Sequence, residues 1–342
     1  MRFTLLTGGT PGNDLNLSLD RVASNRNFGN KIWNTARFIT RNISKVKAED
    51  APAEPAYTAA DRWILGRLSE TIATVDRLMD GYQYGEAGRQ AYDFLWGDYA
   101  DWYLELSKVQ MNKGGATAWT TLSVLLEVLD KTLRLLHPYI PYVTEATWQE
   151  LRKAFMEADL GIGPAEGWAE ALIIADWPKP TEIDLAAAAE FEQLRELVRR
   201  IRNIRAEQGV EPAKRIPAIL AAGEQTPFLQ EQADALAFLA RLDSDQLTIA
   251  ETAEPAPQAI TLALGPITCY LPLAGMVDLG AERGRLETDA DNLKQEINRL
   301  TGLLNSPFAE KAPEAVVQKE RDKLSKLEAS YAEVTGRLKS LA

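Results

Sequence analysis

Between positions 26 and 41 the chain spaces arginine, asparagine and tryptophan so that a helix would gather them on one surface. At about 100° per residue, Arg26, Asn30, Asn34, Arg37 and Arg41 fall within an arc of about 80°, with Trp33 at its edge and Lys31 on its flank. Phe28, Ile32, Ala36, Ile39 and Ile43 fall on the opposite side. The polar side has a definite chemistry: guanidinium forks grip phosphates, carboxamides pair with base edges, and an indole offers a face to an unstacked base. A solvated helix surface is the plainer reading of the same row, and spacing alone leaves both open.

Two further rows repeat the theme. Arg195, Arg199 and Arg202 share one side of a helical stretch over 183–208, whose other side carries Leu194, Leu197, Val198, Ile201 and Ile204. Near the C-terminus Lys319, Lys323 and Lys326 form a third row, able to meet phosphates or to pair with glutamates across a helical seam. Ordinary surface charge explains either row equally well.

The elements that must carry these rows follow from periodicity. A strand-like start at 3–6 leads into a loop containing Gly8, Gly9, Pro11 and Gly12, which lacks the Gly-Lys-Ser/Thr ending of a phosphate loop. Ser18 or Asp20 can cap the helix that follows to about Ile43, and a linker rich in proline and alanine runs over 48–57. Helical periods then appear at 61–79, 86–110 and 116–136, and Thr144 is placed to cap a helix ending near Met156. In the second of these, Tyr92, Leu95, Trp96, Tyr99, Trp102, Tyr103 and Leu106 make an aromatic stripe that reads as core. His137, between Leu136 and Pro138, reads as a residue capping a helix-end carbonyl, with no nucleophile or partner beside it.

Strand signals at 216–221, 246–250, 259–264 and 267–271, with a helix over 228–241 and a Gly265-Pro266 turn, predict a small α+β module. Leu286, Ala290, Leu293, Ile297, Leu300 and Leu304 step by four and three, as do Leu324, Leu327, Tyr331, Val334, Leu338 and Leu341. Two such seams separated by Pro307 and Pro313 predict an antiparallel coiled-coil hairpin with arms roughly 30 to 37 Å long. The expected fold is mainly α: an antiparallel helix bundle, a small α+β module and a C-terminal antiparallel coiled-coil hairpin. The expected divisions are 1–19, 20–180, 181–278 and 279–342.

Composition sets limits. The 342 residues carry a formal charge of −11, so nucleic-acid contact must be local rather than spread over the whole surface. A single cysteine, Cys269, excludes an intrachain disulfide, and a single histidine removes the usual zinc ligand sets; no metal site is expected. No cationic leader with an apolar core is visible, and the apolar stretch 259–274 is interrupted by Pro266 and Pro272. A soluble cytoplasmic protein without membrane contact is expected.

Residues 26–38, Arg-Asn-Phe-Gly-Asn-Lys-Ile-Trp-Asn-Thr-Ala-Arg-Phe, closely resemble the opening helix of the anticodon-binding domain of valyl-tRNA synthetases. The opening Met-Arg-Phe-Thr-Leu-Leu-Thr-Gly-Gly-Thr-Pro-Gly-Asn-Asp is similar to the segment that follows the family's catalytic domain. Leu-Arg-Leu-Leu-His-Pro-Tyr-Ile-Pro-Tyr-Val-Thr at 133–144 resembles a signature later in the same helical domain. Asn-Ser-Pro-Phe at 305–308, Lys-Ala-Pro at 311–313 and Val316-Val317 resemble the turn of the family's terminal coiled coil. Departures exist: Tyr139 and Tyr142 stand where phenylalanine is common, and Ala146-Thr147 where an acidic pair is common.

The resemblance implies a bacterial-type C-terminal portion that holds tRNA(Val) at the anticodon and at the outer corner of the RNA. Arg26, Asn30, Lys31, Trp33, Asn34, Arg37, Arg41, Arg195, Arg199, Arg202, Lys319, Lys323 and Lys326 are the candidate contacts. The family's catalytic motifs, His-Ile-Gly-His and Lys-Met-Ser-Lys-Ser, do not occur in the sequence. No catalytic residue and no cofactor are therefore expected in this chain, ATP and Mg2+ belonging to a catalytic portion elsewhere, without which the chain does not aminoacylate. It would be a fragment, a truncated product or one piece of a split enzyme, monomeric and partnered by tRNA and that catalytic portion. The rival expectation is a protein-interaction scaffold derived from a synthetase.

Overall fold

The computed structural model describes residues 1–9, 17–181, 185–272, 279–306 and 314–340. The loop expected around Pro11 and Gly12, the first residues of the expected helix at 183–208, the proline turn at 307–313 and Leu341 lie outside them. Two compact units emerge, one built from Met1–Arg200 with Phe228–Ala240, the other from Ile201–Pro227 with Arg241–Ala342.

The first unit is helical. Its elements are α1 (Arg2–Thr7), α2 (Leu19–Asn42), α3 (Ala59–Asp80), α4 (Tyr84–Asp93), a π-helical segment (Phe94–Tyr103), α5 (Leu104–Met111), α6 (Gly115–Leu136), α7 (Pro141–Ala158) and most of α8 (Leu185–Glu207). Short connections, such as 112–114 and 137–140, make successive helices antiparallel neighbours, the economical way to bury one apolar stripe per helix. After α9 (Thr226–Glu231), α10 (Ala233–Ala240) rejoins this unit and packs on α5.

Local sequence explains the starts. The Ser18 hydroxyl accepts from the Arg21 N–H at 3.4 Å and opens α2, while Thr58 and Asp61 form a reciprocal capping box at the head of α3. α7 begins at Pro141, three residues before the expected cap Thr144, because proline needs no N–H partner in a first helical turn. Thr144 is instead buried, and its hydroxyl donates back to the Ile140 and Pro141 carbonyls at 3.1 Å.

The strand expected at 3–6 is α1. Phe3 and Thr4 are buried, and the Phe3 ring stacks against Phe28 and Tyr92 at 5.6 and 5.8 Å. Burial of that aromatic face outweighs β propensity where no partner strand is at hand. The aromatic stripe is largely core: Leu95, Tyr99, Tyr103 and Leu106 are buried, and Trp96 and Trp102 half-buried. Its winding was not foreseen, since the Leu104 N–H reaches back five residues to the Tyr99 carbonyl.

The second unit holds a four-stranded sheet in the order β2-β1-β4-β3, from β1 (Ile216–Ala221), β2 (Leu242–Ala250), β3 (Ala259–Leu264) and β4 (Ile267–Pro272). β1 and β2 run parallel across a helical connection; β1–β4 and β4–β3 are antiparallel. Leu264 pairs with Ile267 across the expected Gly265-Pro266 turn, where Gly265 has φ 54°, a value that favours glycine. β2 starts four residues before its expected position. Its polar opening is absorbed by a bulge, the register jumping from Ile216↔Leu242 to Ala218↔Leu247.

α11 (Leu279–Leu304) and α12 (Glu314–Ser340) pack on each other. The ten Cα–Cα steps from Leu304 to Glu314 reach about 36 Å at most, short of the roughly 39 Å return that a fully overlapping parallel pair of such arms needs, so the hairpin is antiparallel. Leu286, Ala290, Leu300 and Val317 are buried, and the other described seam residues are half-buried.

Candidate nucleic-acid interface

α2 separates its faces as the sequence requires. Phe28, Ile32, Ala36 and Ile39 are buried, with Thr35 and Asn42, against a bundle in which α7 is the main neighbour of α2. Arg26, Asn30, Trp33, Asn34, Arg37 and Arg41 are all exposed, Trp33 by 39%. From Arg26 to Arg41 the row is about 22 Å long at 1.5 Å per residue. The helix carries five basic residues against one acidic residue in a chain of net charge −11.

The row is also chemically uncommitted. Among the described residues, the guanidinium groups of Arg26, Arg37 and Arg41 have no ion-pair partner, and the carboxamides of Asn30 and Asn34 have no hydrogen-bond partner. Lys31 differs. Its ammonium holds Asp101 at 2.9 Å and lies 5.2 Å from the Trp96 ring centre, so it ties α2 to the π-helical segment.

The row on α8 is split. Arg195, expected on an exposed surface, has a side chain only 14% exposed, and its guanidinium lies between two indoles, 4.7 Å from the Trp63 ring centre and 5.0 Å from that of Trp102. It pairs with Asp98 at 3.0 Å and Glu192 at 2.7 Å, while Asp98 also holds Arg67 at 3.0 Å. Helical spacing could not foresee this, because the covering groups come from α3 and the π-helical segment. Arg199 is 61% exposed and pairs with Glu196, and Arg202 is exposed. Lys319, Lys323 and Lys326 are exposed along α12, and among the described residues none has an ion-pair partner.

The segment 133–144 is structural. Arg134 is buried, pairs with Asp130 at 3.0 Å and with Glu166, and donates to the Asp176 carbonyl at 2.9 Å. Contrary to expectation, the His137 ring caps no carbonyl among the described residues: Nδ1 shares a hydrogen with the Thr144 hydroxyl at 2.9 Å, and the backbone N–H serves the Arg134 carbonyl. Burial, opposed by Glu145 and aided by Arg2, holds the His137 pKa below its ordinary value. Among the described residues no cluster of three or more His, Cys, Asp or Glu side chains is placed to hold a metal, and no helix is long and apolar enough to cross a membrane.

Between α2 and α7 lies a groove of about 690 Å³. Arg26, Asn30 and Trp33 line it from α2, and Tyr142 and Val143 from α7. The period of α2 gave no sign of the α7 wall; the one available signal was an aromatic residue directly after the proline that opens that helix.

Residues 61–220 match the family model described as the anticodon-binding domain of tRNA ligase, and residues 278–342 match that of the valyl tRNA synthetase tRNA binding arm. The chain is 39% identical to the valine–tRNA ligase of Bacillus cereus over 337 residues, covering 96% of this chain and 37% of that protein. It is 36% identical to that of Listeria innocua over 346 residues, covering 100% of this chain and 38% of the relative. That of Carboxydothermus hydrogenoformans is 39% identical over 331 residues, with 95% and 36% covered. The chain matches a C-terminal portion of valyl-tRNA synthetases along nearly its whole length. It spans little more than a third of their length. α2 precedes the first matched region, but its main neighbour α7 lies inside it.

Proposed function

We propose that the chain is the tRNA-holding part of a valine–tRNA ligase, binding tRNA(Val) at the anticodon through the helical unit and at the outer corner through the α11–α12 hairpin. Activation of valine with ATP and Mg2+, and its transfer, fall to a catalytic portion whose motifs this sequence lacks. The observation that carries the reading is the uncommitted row on α2. Arginines left without carboxylate partners in an acidic protein are arranged for phosphate, and the asparagines and Trp33 between them suit splayed bases. Arg26, Asn30, Trp33, Asn34, Arg37 and Arg41 are the assigned anticodon-side contacts, with Arg199, Arg202, Lys319, Lys323 and Lys326 meeting backbone phosphates. Lys31 and Arg195 support these surfaces from within. We further propose that the protein acts in the cytosol as a monomer.

Titration of the chain against a valine tRNA transcript and a non-cognate transcript, at several salt concentrations, tests this. Cognate preference and affinity that falls as salt rises are expected, with Arg26→Ala and Arg37→Ala each lowering the salt slope by about 1. Equal, salt-independent binding of both transcripts, or wild-type slopes in both folded variants, would overturn the assignment in favour of a scaffold that has lost tRNA binding.

A further inference from the structure

α1 lies at one end of the helical bundle, where α3 stops and α4 starts and where α6 stops and α7 starts. The two turns there are tied together: the Tyr139 hydroxyl donates to the Tyr84 carbonyl at 2.7 Å, and the Phe3 ring of α1 meets Tyr139 edge-on at 6.2 Å. Large apolar side chains gather uncovered at this end. Leu5 and Leu6 come from α1, Tyr82 and Tyr84 from the α3–α4 turn, and Ile173 and Trp177 from the segment after α7.

Neither flank is a loose loop. Tyr82, 77% exposed, is held at φ 58°, a left-handed conformation that glycine or asparagine adopts at lower cost, and it meets Tyr84 edge-on at 6.1 Å. On the other flank Leu172 is buried, with its N–H on the Glu145 carboxylate at 3.0 Å, and the Trp177 indole N–H donates to Asp76 at 2.6 Å. Those anchors leave Ile173, 73% exposed, facing outward on the short turn Leu172–Ile174. A notch of about 300 Å³ opens between Ile173, Trp177, His137 and Arg2, and the Arg2 guanidinium has no ion-pair partner among the described residues.

We infer that this end of the bundle is the docking surface for the catalytic portion of the synthetase, which would lay an apolar ridge across α1, seat one apolar side chain in the notch and set a carboxylate on Arg2. The inference rests on the valine–tRNA ligase reading and adds to it the surface through which the two portions meet. The chain matches a C-terminal portion of relatives of which it covers 36 to 38%, so most of each relative precedes the counterpart of α1. The end of the bundle that carries α1 is the first surface such a body meets. Clustered apolar side chains on a protein surface mark contacts of this kind. RNA is the weaker occupant, because bare leucine and isoleucine side chains give nothing to phosphates.

The test places p-benzoylphenylalanine at Tyr82 or Ile173 in the protein as its own cells make it, and at Met156, 59% exposed near the far end of α7, as the control. After photolysis the cross-linked peptides are sequenced by mass spectrometry. Tyr82 and Ile173 are expected to join to a polypeptide, continuous with this chain or separate, that carries His-Ile-Gly-His and Lys-Met-Ser-Lys-Ser, and Met156 is expected to give no such product. Arg2→Glu should lower the Tyr82 yield about tenfold, as the loss of one central contact does, while melting temperature and affinity for a valine tRNA transcript stay at wild type. Cross-links from Tyr82 and Ile173 to a second copy of this chain would overturn the inference in favour of a dimer. Cross-links to RNA, to unrelated proteins or to nothing would overturn it outright, and a yield unmoved by Arg2→Glu would overturn the carboxylate contact. Failure of the chain to bind tRNA while the catalytic cross-link forms would remove the tRNA contacts and leave this docking surface standing.

Discussion

Replacing Arg195 by methionine separates architecture from recognition. The thioether chain keeps much of the volume between Trp63 and Trp102 but removes the cation from both indole faces and one of the two guanidinium partners of Asp98. Each cation–π contact contributes about 0.5–2 kcal/mol, depending on desolvation. Removing one member of a buried pair costs about 3–5 kcal/mol when nothing else compensates, and here Arg67 remains beside Asp98. A net loss of about 2–4 kcal/mol is expected, or roughly 5–15 °C in the melting temperature of a domain of this size. Near-ultraviolet circular dichroism reports it directly, because two of the affected rings are tryptophans. Arg195→Lys should recover less than half, since an ammonium cannot fork to Asp98 and Glu192 while lying flat between two rings. Arg199→Met, at a side chain 61% exposed, should change stability by under about 0.5 kcal/mol. A melting temperature for Arg195→Met within 2 °C of wild type, by that ~2 °C criterion of thermal resolution, would refute a supporting role for this residue.

Gly88→Ala would bring a methyl to 2.7 Å from the Tyr139 ring and 3.0 Å from the Thr7 side chain, so despite alanine's better helix propensity about 1–3 kcal/mol of stability should be lost in denaturant titration. Tyr103→Phe strips the 2.5 Å hydrogen bond from the buried Asp61 carboxylate, whose pKa burial already raises, and should cost about 1–3 kcal/mol. Burial pushes the Cys269 thiol up to about 12, so maleimide at pH 8 should leave the folded protein unlabelled and modify it fully in denaturant. Because the folded pKa of that thiol is raised, its contribution to stability is intact below pH ~9 and declines as pH rises from there towards 12; a denaturation midpoint that stays flat over this window would contradict it.

The sequence made some elements plain and concealed others for identifiable reasons. The apolar core residues of α2, Phe28, Ile32, Ala36 and Ile39, were readable because their period agrees with both cap and neighbours, whereas buried Thr35 and Asn42 were not foreseen and Ile43, expected on that face, is half-buried beyond the helix end. The Gly265-Pro266 hairpin was readable because its turn chemistry is local. α1 was misread since six residues carry too little period to outvote β propensity, and Phe28 and Tyr92 lie far along the chain. Burial of Arg195 was hidden for a similar reason: the residues that cover it sit on elements dozens or more than a hundred positions away. The exposed row on α2 emerged intact, whereas the Tyr142 wall required knowing which helix packs beside it.

The π-helical winding of Phe94–Tyr103 lets that part of the chain hold an extra residue within one continuous helix. A turn closed over five residues instead of four shifts the angular phase of everything after it, so α4 and α5 form one rod whose sides are rotated against each other. That offset lets the rod present side chains to α3 along its first part and to α6 and α10 along its last. Deleting a single residue here, for example Gly97, whose Cβ position meets nothing within 4 Å, would remove the extra residue that the wide turn accommodates and let the segment rewind as ordinary α-helix. A one-residue change in length, which would turn every later side chain in a regular α-helix, is therefore one that the middle of this helix can take up.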